Sequence, residues 1–388
     1  MANSGSDVTK ILVSGAYGTK NLGDNKVLSS ISRMCRDRYG AVEVIATSIR
    51  PQATVETVGV DDAVPTIERD PINWLSVARS ADLIVIGGGS VLGGSFVRRH
   101  AIIIGLAQFL DVKLYVVSAG ICNSSSFQTL ALKHSMNSID AITVRDTDSR
   151  NELTAAGVSG PIDVVPDPGF LPEETVSDVS LEGEYVLVCC RSFPPVNRID
   201  SGAIATALDQ VVDRCDTNVV FLPFQRAGDD SDIAFSEEIR RKMDSDAVIL
   251  RDESDISRVE SIVRDAEAVL AIRLHSMILA AQQCTPFTAI SYHRKCDALL
   301  QSLGITDYFR YDSIDATELA ERLCADVHSS DPFENCRLRM DELERDCYTV
   351  LEKCDAQRRH RSVISRAALL VLVPLIVCRY VLQSRFDR

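Results

Sequence analysis

The chain has 388 residues, of which 46% are hydrophobic and 25% are charged, and its formal net charge is −14. This apolar content excludes an intrinsically disordered protein, and the length predicts two domains rather than one core. The acidic balance argues against broad nucleic-acid binding, because that requires a basic surface that displaces counterions. Any anion site must therefore be built locally from arginines.

In the first half, short apolar runs alternate with amphipathic stretches, the pattern of βα units in a parallel sheet. We predict strands near residues 11–13, 42–46, 83–86, 114–117, 141–144 and 162–165. Helices are expected between most of them. In the first, Val27, Leu28, Ile31 and Cys35 recur at helical spacing, and Gly40 follows as a C-terminal stop.

The pattern breaks near residues 167–172, and residues 173–184 are acidic and short of large apolar side chains. The second half restarts with predicted strands at 185–190, 219–222, 248–250, 268–272 and 287–291. We therefore predict an α/β protein with two doubly wound Rossmann-like domains facing a cleft. The predicted boundaries are an N-terminal domain at 1–172, a linker at 173–184, a second domain at 185–310, a helical extension at 311–360 and a tail at 361–388.

The segment from Ala271 to Ser276 is a predicted strand end that runs directly into a helix, with Arg273 and His275 at the turn. In a parallel sheet this turn lies at the carboxyl edge, where ligands bind. A guanidinium fork and an imidazole beside exposed helix N–H groups suit a small, multiply charged anion such as a phosphate or carboxylate. Arg191, after the strand at 185–190, could supply a second cation, and Lys295 lies just past the strand that follows Arg273.

A glycine-rich loop at residues 15–24 follows the first strand and opens the first helix. Gly15, Gly18 and Gly23 do not match a dinucleotide-binding fingerprint, and the loop lacks the Gly-Lys-Ser/Thr of a P-loop. Asn21 and Asp24 are polar groups at the mouth of the first domain. They either serve a ligand or only cap the turn and the helix.

A second glycine run, Gly87, Gly88 and Gly89, ends the strand at 83–86. Consecutive bare backbone N–H groups can form an anion-binding nest or leave room for a bulky ligand. For a single glycine, close packing of helix on strand is an equally good explanation. Three together after a strand favour a ligand-binding role.

Twelve cysteines occur without a Cys-x-x-Cys pair, regular spacing or a signal peptide, which indicates reduced thiols in a cytosolic protein. Cys336, Cys347 and Cys354 share one stripe of a predicted helix with Met340, Leu343 and Val350, which favours packing over metal binding. We predict no metal site.

The C-terminal residues 355–388 carry seven arginines and two aspartates, a net +5 in an otherwise acidic chain. Within them, residues 367–378 form an apolar run of twelve, short of the roughly 20 that span a bilayer. Basic flanks around such a run suit peripheral contact with an anionic membrane through residues 361–388. A terminal helix docked on the body is the alternative.

Several of these motifs, in this order, resemble the polysaccharide pyruvyl transferase family over about residues 10–296. They are Gly15 to Asp24 with its Asn-Leu-Gly-Asp core, Ala81 to Gly89, Val144-Arg145-Asp146 before Ser149, Asp167-Pro168, and Arg273-Leu274-His275 through Pro286 to Tyr292 and Lys295. The resemblance implies a fold similar to GT-B glycosyltransferases. It also implies phosphoenolpyruvate as donor and a pair of sugar hydroxyls as acceptor, joined as a pyruvate ketal.

In this resemblance the donor-binding arginine and histidine correspond to Arg273 and His275, and Arg191 lies where a second donor-binding arginine is expected. We place Lys295 on the same donor side. Gly15, Gly18, Asn21, Gly23 and Gly87 to Gly89 form the expected acceptor side. The chain departs from the family where Tyr292 is followed by His293-Arg294-Lys295, since the family often has an acidic residue after this tyrosine.

The hypothesis assigns His275 as general acid or phosphate contact, and Asp24 as the group that accepts a proton from a sugar hydroxyl. Phosphoenolpyruvate is then a co-substrate, no other cofactor is needed, and the acceptor is a glycan or a lipid-linked saccharide. Two alternatives remain: a GT-B glycosyltransferase that uses a nucleotide sugar, and a noncatalytic protein that binds sugars or nucleotides. The expected location is cytoplasmic, with or without peripheral membrane contact. The sequence leaves the acceptor sugar, the ketal stereochemistry and the oligomeric state open.

Overall fold

The computed structural model describes residues 8–89, 91–92, 96–121, 135–174, 177, 181–191, 199–228, 231–329 and 334–357, with backbone alone at 96–98 and 334–338. Over these residues the chain divides into two compact units. The first unit comprises residues up to 18, residues 27–168 and residues from 345 onward. The second comprises Thr19–Lys26 and Gly169–Glu344.

The first unit contains a sheet whose seven described strands are all parallel, in the order β3-β2-β1-β4-β5-β6-β7. The strands are β1 (Lys10–Ser14), β2 (Glu43–Ser48), β3 (Asp62–Pro65), β4 (Leu83–Gly87), β5 (Lys113–Ala119), β6 (Ala141–Val144) and β7 (Asp163–Val164). The inner strands β1 and β4 are almost continuous apolar runs, as expected for strands covered on both faces. Sheet and helices share a hydrophobic core that includes Leu12, Ile84 and Trp74.

Helices connect these strands: α1 (Leu22–Tyr39), α2 (Pro51–Val58), α3 (Pro71–Ser80), α4 (Phe96–Leu110) and α5 (Thr147–Ala155). In α1 the predicted apolar face is buried at Val27, Leu28, Ile31 and Cys35. The helix stops where predicted, because Gly40 adopts a left-handed conformation with φ of 80°. The first turn of α1, up to Lys26, belongs to the second unit.

The second unit contains a sheet whose six described strands are also parallel, in the order β10-β9-β8-β11-β12-β13. The strands are β8 (Tyr185–Cys189), β9 (Asn218–Phe221), β10 (Ala247–Ile249), β11 (Ala268–Ala271), β12 (Phe287–Ser291) and β13 (Phe309–Arg310). The helices are α6 (Ser201–Cys215), α7 (Asp232–Arg240), α8 (Ile256–Arg264), α9 (Leu274–Gln282), α10 (Arg294–Ser302) and α11 (Ala316–Val327). Aspartates cap several of them, as Asp200 does for α6.

Two further helices, α12 (Glu334–Tyr348) and α13 (Val350–Ala356), follow. The end of α13 is held in the first unit: Asp355 accepts hydrogen bonds from the Tyr39 and Tyr115 hydroxyls at 3.0 and 2.9 Å. Gln357 then extends the first sheet's bonding, because its amide both accepts from Ile142 N and donates to Ile142 O. The C-terminal helical extension is therefore part of the fold.

The predicted α/β class with two doubly wound parallel sheets and a C-terminal helical extension is confirmed. Two strands were missed by the sequence pattern, β3 and β13. Both are short edge strands, β3 with a proline at its end and β13 with two residues, so neither shows a buried apolar run. The predicted domain boundaries stay predictions.

Cys347 and Cys354 are buried, as the stripe pattern predicted, together with Met340, Leu343 and Val350. The side chain of Cys336 and the tail 361–388, with its predicted membrane contact, lie outside the described residues. Across the part of the chain that is described, no helix is both long and apolar enough to cross a bilayer.

Candidate functional site

Four loops at the carboxyl edge of the second sheet carry the polar residues of interest. Arg191 follows β8, residues 223–228 and Ser231 follow β9, Arg273 follows β11 and Tyr292 follows β12. Because the strands are parallel and in register, with Ala271 beside both Cys189 and Ala289, these loops emerge at one edge. That edge is where open α/β sheets bind ligands.

The Arg273 side chain is buried and held by Asp232, the first residue of α7. Arg273 Nε donates to Asp232 Oδ2 at 2.8 Å, and Nη2 donates to Oδ1, so the contact is bidentate. Asp232 Oδ2 also accepts from the backbone N–H groups of Phe224 and Gln225, at 3.1 and 2.8 Å. Such a pair fixes the plane of the guanidinium as well as its position.

Asp232 was not predicted from the sequence. It lies 41 residues before its partner, in a stretch of several polar residues, so neither spacing nor periodicity singles it out. Burial raises the pKa of the Asp232 carboxyl, while the charge and hydrogen bonds of Arg273, the Gln225 N–H and the charge of Arg191 oppose that rise. The charge of Arg191 therefore acts on the same carboxylate that holds Arg273.

Tyr292 lies between two of the predicted donor-binding cations. The guanidinium carbon of Arg191 and the ammonium of Lys295 each lie 5.5 Å from the centre of its buried ring. Arg191 Nη1 also donates to the Tyr292 hydroxyl at 3.5 Å. The ring thus orders both cations through cation–π contacts at this edge of the sheet.

His275, in the first turn of α9, lies against Gly23 in the first turn of α1. A Cβ atom built on Gly23 would lie 2.1 Å from His275 Nδ1, so only glycine fits against this imidazole. Gly23 and His275 both belong to the second unit. The structure therefore brings His275 together with part of the expected acceptor loop.

The rest of this loop, residues 19–22, is fastened to the loop after β9. Leu22 N donates to Phe224 O at 2.9 Å, Arg226 N donates to Lys20 O at 3.2 Å, and Gln225 Nε2 donates to Thr19 O at 3.2 Å. These bonds form a short antiparallel bridge between Asn21 and Gln225. Residues 19–22 are thus hydrogen-bonded to the carboxyl edge of the second sheet through the loop after β9.

Asn21 and Asp24 show how this loop starts α1. Asn21 Oδ1 accepts from Gly23 N at 2.9 Å and from Asp24 N at 3.4 Å, which is helix capping. Asp24 is half-buried and accepts from the Thr19 hydroxyl at 3.3 Å. Capping explains why an asparagine stands at position 21. The acid–base role of Asp24 stays a prediction.

Arg226 is a second residue that sequence reasoning missed. Among the described residues it makes no ion pair, and its Nε is buried without a hydrogen-bond partner. Burial lowers the pKa of this guanidinium, although an arginine stays protonated at neutral pH. The charges of Glu253 and Asp252 oppose this lowering, so the half-buried guanidinium lies in the field of two carboxylates.

The other predicted glycines belong to the first unit and serve its packing. A Cβ on Gly87 or Gly88 would collide with Ile31 or Val27 of α1, and one on Gly15 with the ring of Tyr17. Gly18, Gly88 and Gly89 have positive φ, which favours glycine whatever the surroundings. These contacts support the packing explanation for Gly15, Gly87 and Gly88, and ligand roles for the set stay predictions.

No group of three or more His, Cys, Asp or Glu side chains is arranged to hold a metal ion in the described ranges. The charged side chains at the carboxyl edge of the second sheet instead include three cations, Arg191, Arg273 and Lys295. The imidazole of His275 belongs to the same edge. Such a cluster can bind an anion with two acidic groups and stabilise negative charge on a leaving group.

Comparison with known proteins finds a match to the sequence model of one family, described as polysaccharide pyruvyl transferase, over residues 21–294. A search of curated proteins finds no match. The matched range contains Asn21, Gly23 and Asp24 as well as Arg191, Arg273 and His275.

Solved structures show the same fold at low sequence identity. A putative UDP-N-acetylglucosamine 2-epimerase from Listeria monocytogenes has a TM-score of 0.57 at 10% identity, over 92% of this chain and all of that one (100%). UDP-GlcNAc 2-epimerase from Methanocaldococcus jannaschii has a TM-score of 0.57 at 12% identity, over 89% and 98%. ADP-heptose lps heptosyltransferase II from E. coli has a TM-score of 0.51 at 16% identity, over 82% and 98%. These likenesses confirm the predicted GT-B-like fold and carry no further conclusion.

Proposed function

Because the chain belongs to the polysaccharide pyruvyl transferase family, and is therefore a transferase that acts on polysaccharides, we propose that it transfers the enolpyruvyl group of phosphoenolpyruvate to two hydroxyls of a sugar. The product is a pyruvate ketal, and inorganic phosphate is released. Phosphoenolpyruvate is the co-substrate, and the acceptor is a glycan or a lipid-linked saccharide.

The observation that carries this proposal is the cation cluster at the carboxyl edge of the second sheet. Phosphoenolpyruvate carries a carboxylate and a phosphate on adjacent atoms, and two arginines with a lysine match that pair of anionic groups. Arg273 is held by Asp232, and Arg191 and Lys295 are ordered by Tyr292. Cations held in advance bind and stabilise charge without a large cost of reorganisation.

In the proposed reaction, a proton adds to the methylene carbon of the donor, and the neighbouring carbon becomes electrophilic. One sugar hydroxyl forms a bond to that carbon and loses its proton. The carbon–oxygen bond to phosphate then breaks, with the electron pair leaving on phosphate, and a second hydroxyl closes the ketal. Of the two hydroxyl protons, one balances the proton taken up by the methylene carbon and the other leaves with phosphate.

Within this scheme, Arg191 and Arg273 stabilise the departing phosphate. His275 protonates the methylene carbon or contacts the phosphate, and Asp24 accepts the proton of the attacking hydroxyl. The contact between Gly23 and His275 supports this assignment, since Asp24 is the next residue along the loop. Donor and acceptor groups would then meet at one edge of the second sheet.

The first test is calorimetric titration of the purified chain with phosphoenolpyruvate. We expect saturable binding that is lost in Arg273→Ala and retained in Arg264→Ala, a matched control in which an exposed arginine of α8 loses its contact with Asp265. Binding that survives Arg273→Ala would contradict the proposed donor site.

The same titration with UDP-sugars and CMP-sugars tests the nucleotide-sugar alternative. Binding of a nucleotide sugar without binding of phosphoenolpyruvate would replace pyruvyl transfer by glycosyl transfer. Phosphate release from phosphoenolpyruvate in the presence of a panel of saccharides then separates an enzyme from a noncatalytic binding protein.

Peripheral membrane contact through residues 361–388 and a cytoplasmic location belong to the proposal as well. Binding of the full chain to vesicles with and without anionic lipid tests the membrane contact.

A further inference from the structure

Two cysteines of the second unit lie with their sulfur atoms in contact. Cys215 is the last residue of α6 and Cys324 lies in α11, and their Sγ atoms are 2.9 Å apart. Both are free thiols. Since the sulfur–sulfur bond of a disulfide is about 2.05 Å long, a shift of less than roughly 1 Å would allow the bond to form.

The two helices that carry these thiols are firmly placed. They pack against each other, with Ile204 and Leu208 of α6 and Leu319 and Leu323 of α11 completely or almost completely buried. Each helix begins at an aspartate cap, whose side chain accepts two backbone N–H groups. The sulfur contact is therefore set by two anchored helices.

The thiols are also within reach of a small oxidant. Cys215 and Cys324 are both half-exposed, whereas Cys189, Cys190, Cys296, Cys347 and Cys354 are buried. Exposure matters because thiol–disulfide exchange needs direct attack of a thiolate on a sulfur of the oxidant. The two features together, contact and access, distinguish this pair from the buried cysteines.

We propose that Cys215 and Cys324 are a site of reversible disulfide formation, oxidised by a low-molecular-weight disulfide such as oxidised glutathione. The thiolate of one cysteine of the pair, written here as Cys324, attacks one glutathione sulfur, the glutathione disulfide bond breaks, and one glutathione leaves. Cys215 then attacks the Cys324 sulfur and displaces the second glutathione. Two cysteine thiols are oxidised, two glutathione thiols are formed, and the two protons move to them.

The acidity of the Cys215 thiol depends on its contact with Cys324. Burial, then the hydrogen bond and charge of Cys324, raises the pKa of the Cys215 thiol to about 12. Once Cys324 is part of a mixed disulfide it no longer ionises, and its contribution to that rise disappears. Arg214 remains beside Cys215 and favours its thiolate.

The bond would close a loop between positions 109 residues apart. That loop contains β9 to β13 and therefore Asp232, Arg273, His275, Tyr292 and Lys295. A cross-link across such a long loop restricts the unfolded chain and should stabilise the second unit against unfolding. This inference does not depend on the proposed function.

The experiment is peptide mapping of the full chain under non-reducing conditions, after incubation in buffers of graded oxidised to reduced glutathione ratio. We expect a peptide pair joined through Cys215 and Cys324 that disappears on reduction, and a higher midpoint of thermal unfolding in the oxidised protein. A wild-type chain in which both thiols remain open to alkylation at every ratio would overturn the inference.

Variants sharpen the test. Cys215→Ser and Cys324→Ser should each abolish the oxidative rise in unfolding temperature, while Cys284→Ser, at another half-exposed thiol of the same unit, should keep it. The same rise in Cys215→Ser, or linkage of either cysteine to a different thiol, would show that oxidation occurs elsewhere.

Discussion

Arg273 and Asp232 form an ion pair in which the arginine side chain is 7% exposed and the aspartate side chain is inaccessible (0%). The carboxylate also holds two backbone N–H groups of the loop after β9. A single aspartate thus couples the orientation of the proposed donor-binding arginine to the shape of the neighbouring loop. Its replacement should affect binding and stability together.

For Asp232→Asn we expect the dissociation constant of phosphoenolpyruvate to rise about tenfold or more, because the guanidinium loses its bidentate partner. The free energy of unfolding should fall by about 3–5 kcal/mol, since the variant leaves a buried cation uncompensated. Calorimetry and urea denaturation measure the two effects. Asp307→Asn removes an exposed partner of Arg322 and should cost less than about 1 kcal/mol. Unchanged donor binding in Asp232→Asn would show that Arg273 does not need this partner.

Gly23→Ala should disturb the proposed chemistry at His275. The new methyl group would overlap the imidazole, so the histidine or the loop must shift. A displacement of about 1 Å at a catalytic group can lower turnover on the order of a hundredfold. Phosphate release with a competent acceptor measures this effect. Gly202→Ala, at the start of α6, is the control, because its methyl group would meet only the capping carboxylate of Asp200, at 3.2 Å, which needs to move by a few tenths of an ångström. Full turnover in Gly23→Ala would show that the close packing of His275 against this residue is not needed for the reaction.

Lys26 is almost completely buried in the second unit, where its ammonium contacts Glu173 at 2.9 Å and Glu260 at 2.6 Å. Burial raises the pKa of Glu260, and the charge of Lys26 opposes that rise. We expect Lys26→Met to lower the free energy of unfolding by about 3–5 kcal/mol, because Glu260 is left buried without its cation.

Chemical denaturation measures that loss, and the double variant Lys26→Met with Glu260→Gln should recover part of it by removing the unpaired charge. Lys242→Met changes a lysine that is 45% exposed and paired with Glu238, so it should cost less than about 1 kcal/mol. An equal loss in both lysine variants would mean that burial of the charge is not the cause.

We expect His100 to make the stability of the first unit sensitive to acid. Burial lowers the pKa of its imidazole from 6.5 to about 4, and its Nδ1 lies 2.7 Å from Val91 O. Between these two values the unfolded chain binds a proton that the folded chain does not. Stability should therefore be fully present above pH 6.5 and fall as the pH drops to 4, with a contribution of about 3 kcal/mol from this residue.

Denaturation between pH 4 and pH 7 tests this sign. His100→Gln should flatten the pH dependence in that window, whereas His328→Gln, at an exposed histidine, should leave it as in the wild type. A wild-type slope in His100→Gln would exclude His100 as its source.

By itself the sequence determined the alternation of strands and helices, the two parallel sheets and the place of Arg191, Arg273 and His275 at strand ends. Buried parallel strands are continuous apolar runs, and the apolar residues of a helix recur every three to four positions, so both leave a local pattern in the sequence. The edge strands β3 and β13 were missed because their few residues lie at the margin of a sheet and lack that pattern.

Only the tertiary structure decided which residues support the site. Asp232 reaches Arg273, Gly23 lies against His275, and Tyr292 stands between Arg191 and Lys295. These partners are far apart in the chain, except for Tyr292 and Lys295, and a contact between distant side chains leaves no periodic trace in the sequence. The return of α13 to the first unit has the same origin, because it rests on Asp355 meeting Tyr39 and Tyr115 once the chain has folded.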